Sequence, residues 1–210
     1  MMVKPVANKR TPIYCRALVI AHGASEYQIA SYIKSKLRLP MEISARDSGR
    51  HSIQINSLMA WLNKKFPTQA RFMKENFNVQ SDGKSLVDFV VFPIMDTDDC
   101  EPRSLSDDFK NKTLFDEHWF KPYVHPIYNT PSLEHILFNT GIIDKMLPDN
   151  EKTETYRRIF PIDKNAPKDT GKKDIEEFRD RVSQAKNTNI TEFIDYCLAW
   201  AESNRIDNQR

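Results

Sequence analysis

Cysteine is scarce in this chain: Cys15, Cys100 and Cys197 stand far apart and without metal-finger spacing, which excludes a disulfide framework or a zinc ribbon as the basis of the fold. An odd, scattered count fits a reducing compartment, and the expected location is the cytoplasm. The apolar runs are no longer than strands and no secretory signal pattern is present, so the chain is expected to stay off membranes. Neither sign of charge dominates, with 31 Lys and Arg against 29 Asp and Glu. No global field therefore marks a nucleic-acid binder, and any phosphate-binding surface has to be local. A Gly-x-x-x-x-Gly-Lys loop is missing, and with it a P-loop nucleotide site. Internal repeats, low-complexity tracts and the aromatic interleaving that stacks single-stranded bases are missing too.

What is present reads as one α/β unit. A chain of 210 residues is long enough for one sizeable core and short for two. Residues 1–12 read as a flexible lead-in and 13–210 as a single domain. Strands are expected at Ala17–Ala21, Met41–Ala45, Phe89–Met95 and Tyr123–Asn129, the last on an edge or at a bulge because of Pro126. Pro93 raises the same objection to a regular ladder in the third. Helices are expected after Gly23 (Ile29, Ile33 and Leu37 every four residues, with Ser25 as N-cap), over Ser52–Phe66, after Pro67 through Phe77, and from Pro131 to Thr140 with Gly141 as the stop. Residues 101–120 read as polar and weakly helical. A short helix is expected around "ETYRRIF", and two helices close the chain, with apolar stripes Ile175, Phe178, Val182, Ala185 and Phe193, Ile194, Cys197, Leu198, Ala201 that suit core packing. Asn189 with Glu192 resembles a capping pair for the last helix.

Two motifs carry chemistry. In "FVVFPIMDTDD", residues 89–99, an apolar strand buried on both faces ends in carboxylates. If the strand persists, Asp96 and Asp98 project together at its carboxyl end, where open α/β sheets place ligands. Side-by-side carboxylates repel unless a cation or proton lies between them, and hard oxygen pairs suit Mg²⁺ or Mn²⁺. A solvated acidic turn closing a strand is the alternative. In "RALVIAHGASEYQIASYIKSKL" a strand turns at Gly23 into a helix, which brings Glu26 in its first turn to the same sheet edge.

A strand ending in Glu-Gly-x-x-Asp/Glu and a later strand ending in Asp-x-Asp are the signature of Toprim domains. "HGASE" resembles the first motif and "DTDD" the second. "IYNTPSLEHILFNTG" (Ile127 to Gly141) resembles the Asn-x-Pro-x-x-Glu segment of the RloB-like and OLD-nuclease-like branch, and the resemblance spans roughly residues 16 to 200. It implies a mostly parallel Toprim-like sheet flanked by helices, with a C-terminal helical extension. It also implies divalent-metal-dependent cleavage of nucleic-acid phosphodiesters in bacterial or mobile-element defence, beside an ATPase partner, with Mg²⁺ or Mn²⁺ held by Glu26, Asp96 and Asp98 and helped by Asp99. The departure is His22, which stands where the family has glutamate. As imidazole it suits Mn²⁺ better than Mg²⁺ and is competent as a base near neutral pH. Alternatively the position is lost, and the chain is a degenerate Toprim module that binds nucleic acid or a partner ATPase and regulates it.

Other candidates complete the set. Glu134, inside the RloB-like segment, either joins a second metal site or makes a structural salt bridge. Arg46, Arg50 and His51 flank Gly49 in the loop after the second strand, at the ligand edge, and Arg50 is the candidate for phosphate. The family carries a functional lysine in its C-terminal part, and Lys168, Lys172 and Lys173 are the residues in place for it; each also reads as solvated surface.

Overall fold

The computed structural model describes residues 14–75, 78–98, 100–162 and 168–207. The expected lead-in, Phe77 and Asp99 lie outside these residues.

Four strands, β1 (Ala17–Ala21), β2 (Met41–Ser44), β3 (Val90–Asp96) and β4 (Ile127–Asn129), form one sheet in the order β2-β1-β3-β4, with every pairing parallel. Helix α1 (Ala24–Leu37) returns the chain from β1 to β2. Helices α2 (Ile55–Lys65) and α3 (Gln69–Glu75) lead to β3, and α4 (Ser104–Lys110) leads to β4. Helices α5 (Leu133–Asn139), α6 (Asp149–Ile159), α7 (Lys168–Val182) and α8 (Ile190–Asp207) follow.

Alternation along the central strands sorts the core into two layers. Ala17, Val19, Phe92 and Ile94 face α1 and the helices after β4, where Ile175, Phe178, Val182, Phe193, Ile194 and Cys197 are buried. Leu18, Ile20, Val91 and Met95 face α2, α3 and α4. The result is a three-layer α/β arrangement with a C-terminal helical part, consistent with a Toprim-like fold. The closing stripes pack into the core except for Ala185, which lies beyond the end of α7 and is only half-buried.

Pro93 is accommodated in a central strand for a specific reason. Val90 N–H donates to Arg16 and Ile94 accepts from His22, so even-numbered residues of β3 face β1. The missing N–H of Pro93 therefore faces β4, where the ladder is interrupted between the Val91–Val124 bridge and Ile94–Ile127. Pro126 sits in that same gap, and β4 begins only at Ile127, four residues later than expected, because Tyr123 closes a 3₁₀ turn. The segment 101–120 is less polar in space than in sequence: Phe109, Phe115 and Phe120 are fully buried in the second layer. Among the described residues no helix is long and apolar enough to cross a membrane.

Candidate functional site

The strand order reverses between β1 and β3, because the chain moves from β1 outward to β2 and then crosses back to the other side of β1. Open sheets part their loops at such a point and bind ligands at its carboxyl edge. His22 follows β1 there, its N–H donating to Ile94 O at 3.0 Å, and Asp96 ends β3.

Helix α1 begins at Gly23 rather than with Ser25 as cap. The Gly23 N–H donates to Glu26 Oε2 at 2.8 Å, so Glu26 closes the helix start with its own carboxylate and is held inward, 3 % exposed. Gly23 itself is extended, with φ −150°, and a Cβ there would meet only ordinary contacts. The glycine that this turn requires lies elsewhere. Gly49 has φ +88°, and its Cβ would fall 2.9 Å from Ala24 Cα and 3.0 Å from Gly23 O. The loop after β2 thus lays bare backbone directly on the β1–α1 turn, which brings the exposed Arg46, Arg50 and His51 to the switch point. Arg46 and Arg50 make no ion pair with any described residue, while His51 lies 3.6 Å from Asp47.

Asp96 is the most constrained acid. Its Oδ1 accepts from Leu133 N–H at 2.8 Å and from Asn129 Nδ2 at 3.3 Å. Burial, then the Glu26 carboxylate and more weakly Asp98, push its pKa well above the usual carboxylate range, against the two hydrogen bonds that lower it. Asn129 is fully buried and is itself fixed by Thr188, whose hydroxyl donates to Asn129 Oδ1 at 2.8 Å. The start of α8 therefore reaches the aspartate through one side chain. The strand stops at Asp96, so strand alternation does not set Asp98 beside it; Asp98 is exposed on the following turn and acts on Asp96 only through its charge.

The remaining candidates fall into place unevenly. Glu134, 8 % exposed, accepts from Leu147 N–H through Oε1 and pairs with Lys152 Nζ at 2.9 Å through Oε2. Both of its oxygens are engaged, so it is a structural clasp between α5 and α6 rather than an open ligand. Lys172 lies near the other end of the molecule. Gly171 beside it packs on Lys36 O, close to the end of α1, roughly 15 Å along the helix from Glu26. Lys172 is paired with Glu176 and Glu202, which raises its pKa, Glu202 chiefly. Lys168 opens α7 before Gly171, so its backbone is at the same remote edge; its side chain lies outside the described residues. Lys173 pairs with Glu177 at 3.9 Å on exposed surface. The structure thus brings Glu26, Asp96, His22 and the Arg46–His51 loop to one edge, with Asp98 at its rim, and leaves the C-terminal lysines at the other.

Comparison with known protein families, with curated proteins and with solved structures found no match to this chain. Among the described residues no group of three or more His, Cys, Asp or Glu stands in an arrangement that holds a metal ion. Carboxylate oxygens are the ligand type that hard cations take. Two carboxylates repel across the switch point, and Nδ1 of His22, the residue after β1, is buried with no hydrogen-bond partner. A cation between Glu26 and Asp96 would relieve that repulsion. Sequence reasoning singled out these acids but missed Asn129 and Thr188 as their supports. The Asn-x-Pro-x-x-Glu segment was the available signal for Asn129; nothing local marks Thr188.

Proposed function

We propose that the protein is a divalent-metal-dependent nuclease that hydrolyses phosphodiester bonds of nucleic acid, with a role in bacterial or mobile-element defence and an ATPase as its partner. The observation that carries this reading is the pair of crowded carboxylates, Glu26 and Asp96, at the carboxyl edge of the switch point, with an exposed arginine loop packed against the same turn. Glu26 and Asp96 would hold the cation, with Asp98 at the rim. A bound Mg²⁺ or Mn²⁺ supplies water activation and neutralises charge on the departing oxygen. Arg50 meets the phosphate backbone, and His22, whose imidazole suits Mn²⁺, sits where a base or ligand is needed.

The test is incubation of the protein with DNA, tRNA and other RNA in Mg²⁺ or Mn²⁺, alongside Asp96→Ala. Cleavage by wild type that the variant loses by orders of magnitude supports the nuclease, and cleavage unchanged in the variant refutes it. A second reading, a degenerate module that binds nucleic acid or the ATPase, is favoured by His22 at the position of the family glutamate. Tight nucleic-acid binding without cleavage, with the ATPase present, decides for that reading.

A further inference from the structure

Tyr156 is 1 % exposed, yet its hydroxyl has no hydrogen-bond partner. A buried O–H left without a partner is destabilising, so such a group calls for an explanation. Its position supplies one. The C-terminal end of α6 is tied to α1 where Gln28 Nε2 donates to Phe160 O at 2.8 Å and where Tyr32 meets the Phe160 ring edge-on at 5.5 Å. Tyr156 lies one turn before Phe160. Lys152, one turn earlier still and on the same face of α6, reaches Glu134. With Phe160 at Gln28 and Tyr32 and Lys152 at Glu134, Tyr156 falls between these contacts, near Ser25 and Glu26. The ring is held in place by stacking on Phe160, 6.1 Å between centroids and 19° between planes.

The surroundings agree with that placement. Burial first drives the Tyr156 pKa up; Ser25, the next influence, pulls it down without completing a hydrogen bond, and the charges of Glu26, Glu134 and Asp96 add smaller upward pushes. The phenol stays neutral and is a donor with no acceptor within hydrogen-bonding distance. The hydroxyl is near enough to the acids of the switch point to feel their charge, and Lys152, one turn before it, reaches one of them, Glu134.

We propose that Tyr156 is a positioning residue of the acidic site, its hydroxyl donating to an oxygen in the coordination shell of a divalent cation held by Glu26 and Asp96. This rests on the metal-dependent reading above and extends it to a residue of α6. It differs from a structural role in sign. As packing, the hydroxyl only destabilises, and its removal raises stability with or without metal. As a donor to the bound shell, it costs stability in the empty protein and returns it on loading.

Tyr156→Phe separates the two, since it keeps the stacked ring and removes only the O–H. Free Mn²⁺ is titrated by electron paramagnetic resonance, and melting is followed with and without Mn²⁺. The expected result is an unchanged or higher melting temperature without metal and Mn²⁺ affinity lower by about tenfold, the usual cost of losing an outer-shell partner. Tyr196→Phe is the control, because its hydroxyl donates to Arg16 O at 3.1 Å at the amino edge of the sheet; it should lose stability and leave Mn²⁺ affinity alone. Equal Mn²⁺ affinity in wild type and Tyr156→Phe, with Asp96→Asn abolishing binding, overturns the inference and spares the metal site. No Mn²⁺ binding by wild type, or binding indifferent to Asp96→Asn, overturns both.

Discussion

Gly49 offers the sharpest test of how the switch point is built, because a second glycine provides its own control. Gly49 and Gly83 both have left-handed backbones, φ +88° and +96°, but a Cβ on Gly83 would meet nothing within 4 Å, whereas one on Gly49 would press on the backbone of Gly23 and Ala24 at 2.9–3.1 Å. Alanine at either position carries the left-handed penalty of about 1–2 kcal/mol. Only at Gly49 is there a second cost, of the overpacking kind, about 1–3 kcal/mol. It cannot be relieved by a rotamer change, since the opposing atoms are main chain at the start of α1. Gly49→Ala should therefore lose about 2–5 kcal/mol and Gly83→Ala about 1–2. For a chain of this size the difference between them corresponds to a melting temperature roughly 2–12 °C lower for Gly49→Ala. Urea denaturation with a common m-value measures both. Equal losses in the two variants would refute the close approach, and with it the claim that the Arg46–His51 loop is locked onto the β1–α1 turn.

Asp96 should leave a pH signature. Its folded pKa is raised, so between the ordinary carboxyl value and that raised value the folded chain binds more protons than the unfolded one, and stability falls as pH rises through this window. In chelator, Asp96→Asn should melt higher than wild type above the window, with the gap closing on acidification toward 3.8; a variant less stable at neutral pH contradicts the crowding. Glu134→Ala should cost about 2–4 kcal/mol in urea, from its lost ion pair and the orphaned Leu147 N–H, while changing Mn²⁺ affinity far less than Asp96→Asn does. Arg50→Ala should weaken nucleic-acid binding and shrink the salt slope by about one, whereas Lys172→Ala should leave both unchanged in the same filter-binding titration. A Lys172→Ala effect as large as that of Arg50→Ala would mean that the amino edge also contacts the ligand.

The fold was legible where one physical rule acts locally. β1 occupies Ala17–Ala21 as its apolar run indicates, and Ile175, Phe178, Val182, Phe193, Ile194 and Cys197 are buried as their periodicity requires. Discrepancies arise where tertiary contacts outrank local preference. Ser25 has the side chain of an N-cap, but Glu26 reaches Gly23 N–H first, so the helix starts two residues earlier. Gly23 looks like the indispensable glycine of its motif, yet the close approach falls on Gly49, and only the packing of two loops reveals it. The site was legible to the same extent. Glu26 and Asp96 meet because both follow strands at one edge, which follows from parallel α/β topology. That Lys172 lies at the opposite edge depends on the direction in which α7 crosses α1, which its own residues do not encode. For Tyr156 and Phe160 the sequence indicates only a short helix around "ETYRRIF", and the free hydroxyl emerges from how that helix packs.

The chain Thr188–Asn129–Asp96 has a consequence for the order of events at the ribosome. The acids emerge early, but the hydroxyl that orients Asn129 toward Asp96 belongs to a residue made 92 positions after the aspartate, just before the last helix. A nascent chain paused anywhere before Thr188 carries the carboxylates without the group that sets their neighbour. The finished geometry is therefore withheld until translation has passed every other element of the sheet, and a fragment ending before residue 188 is an unassembled site and not a smaller version of it.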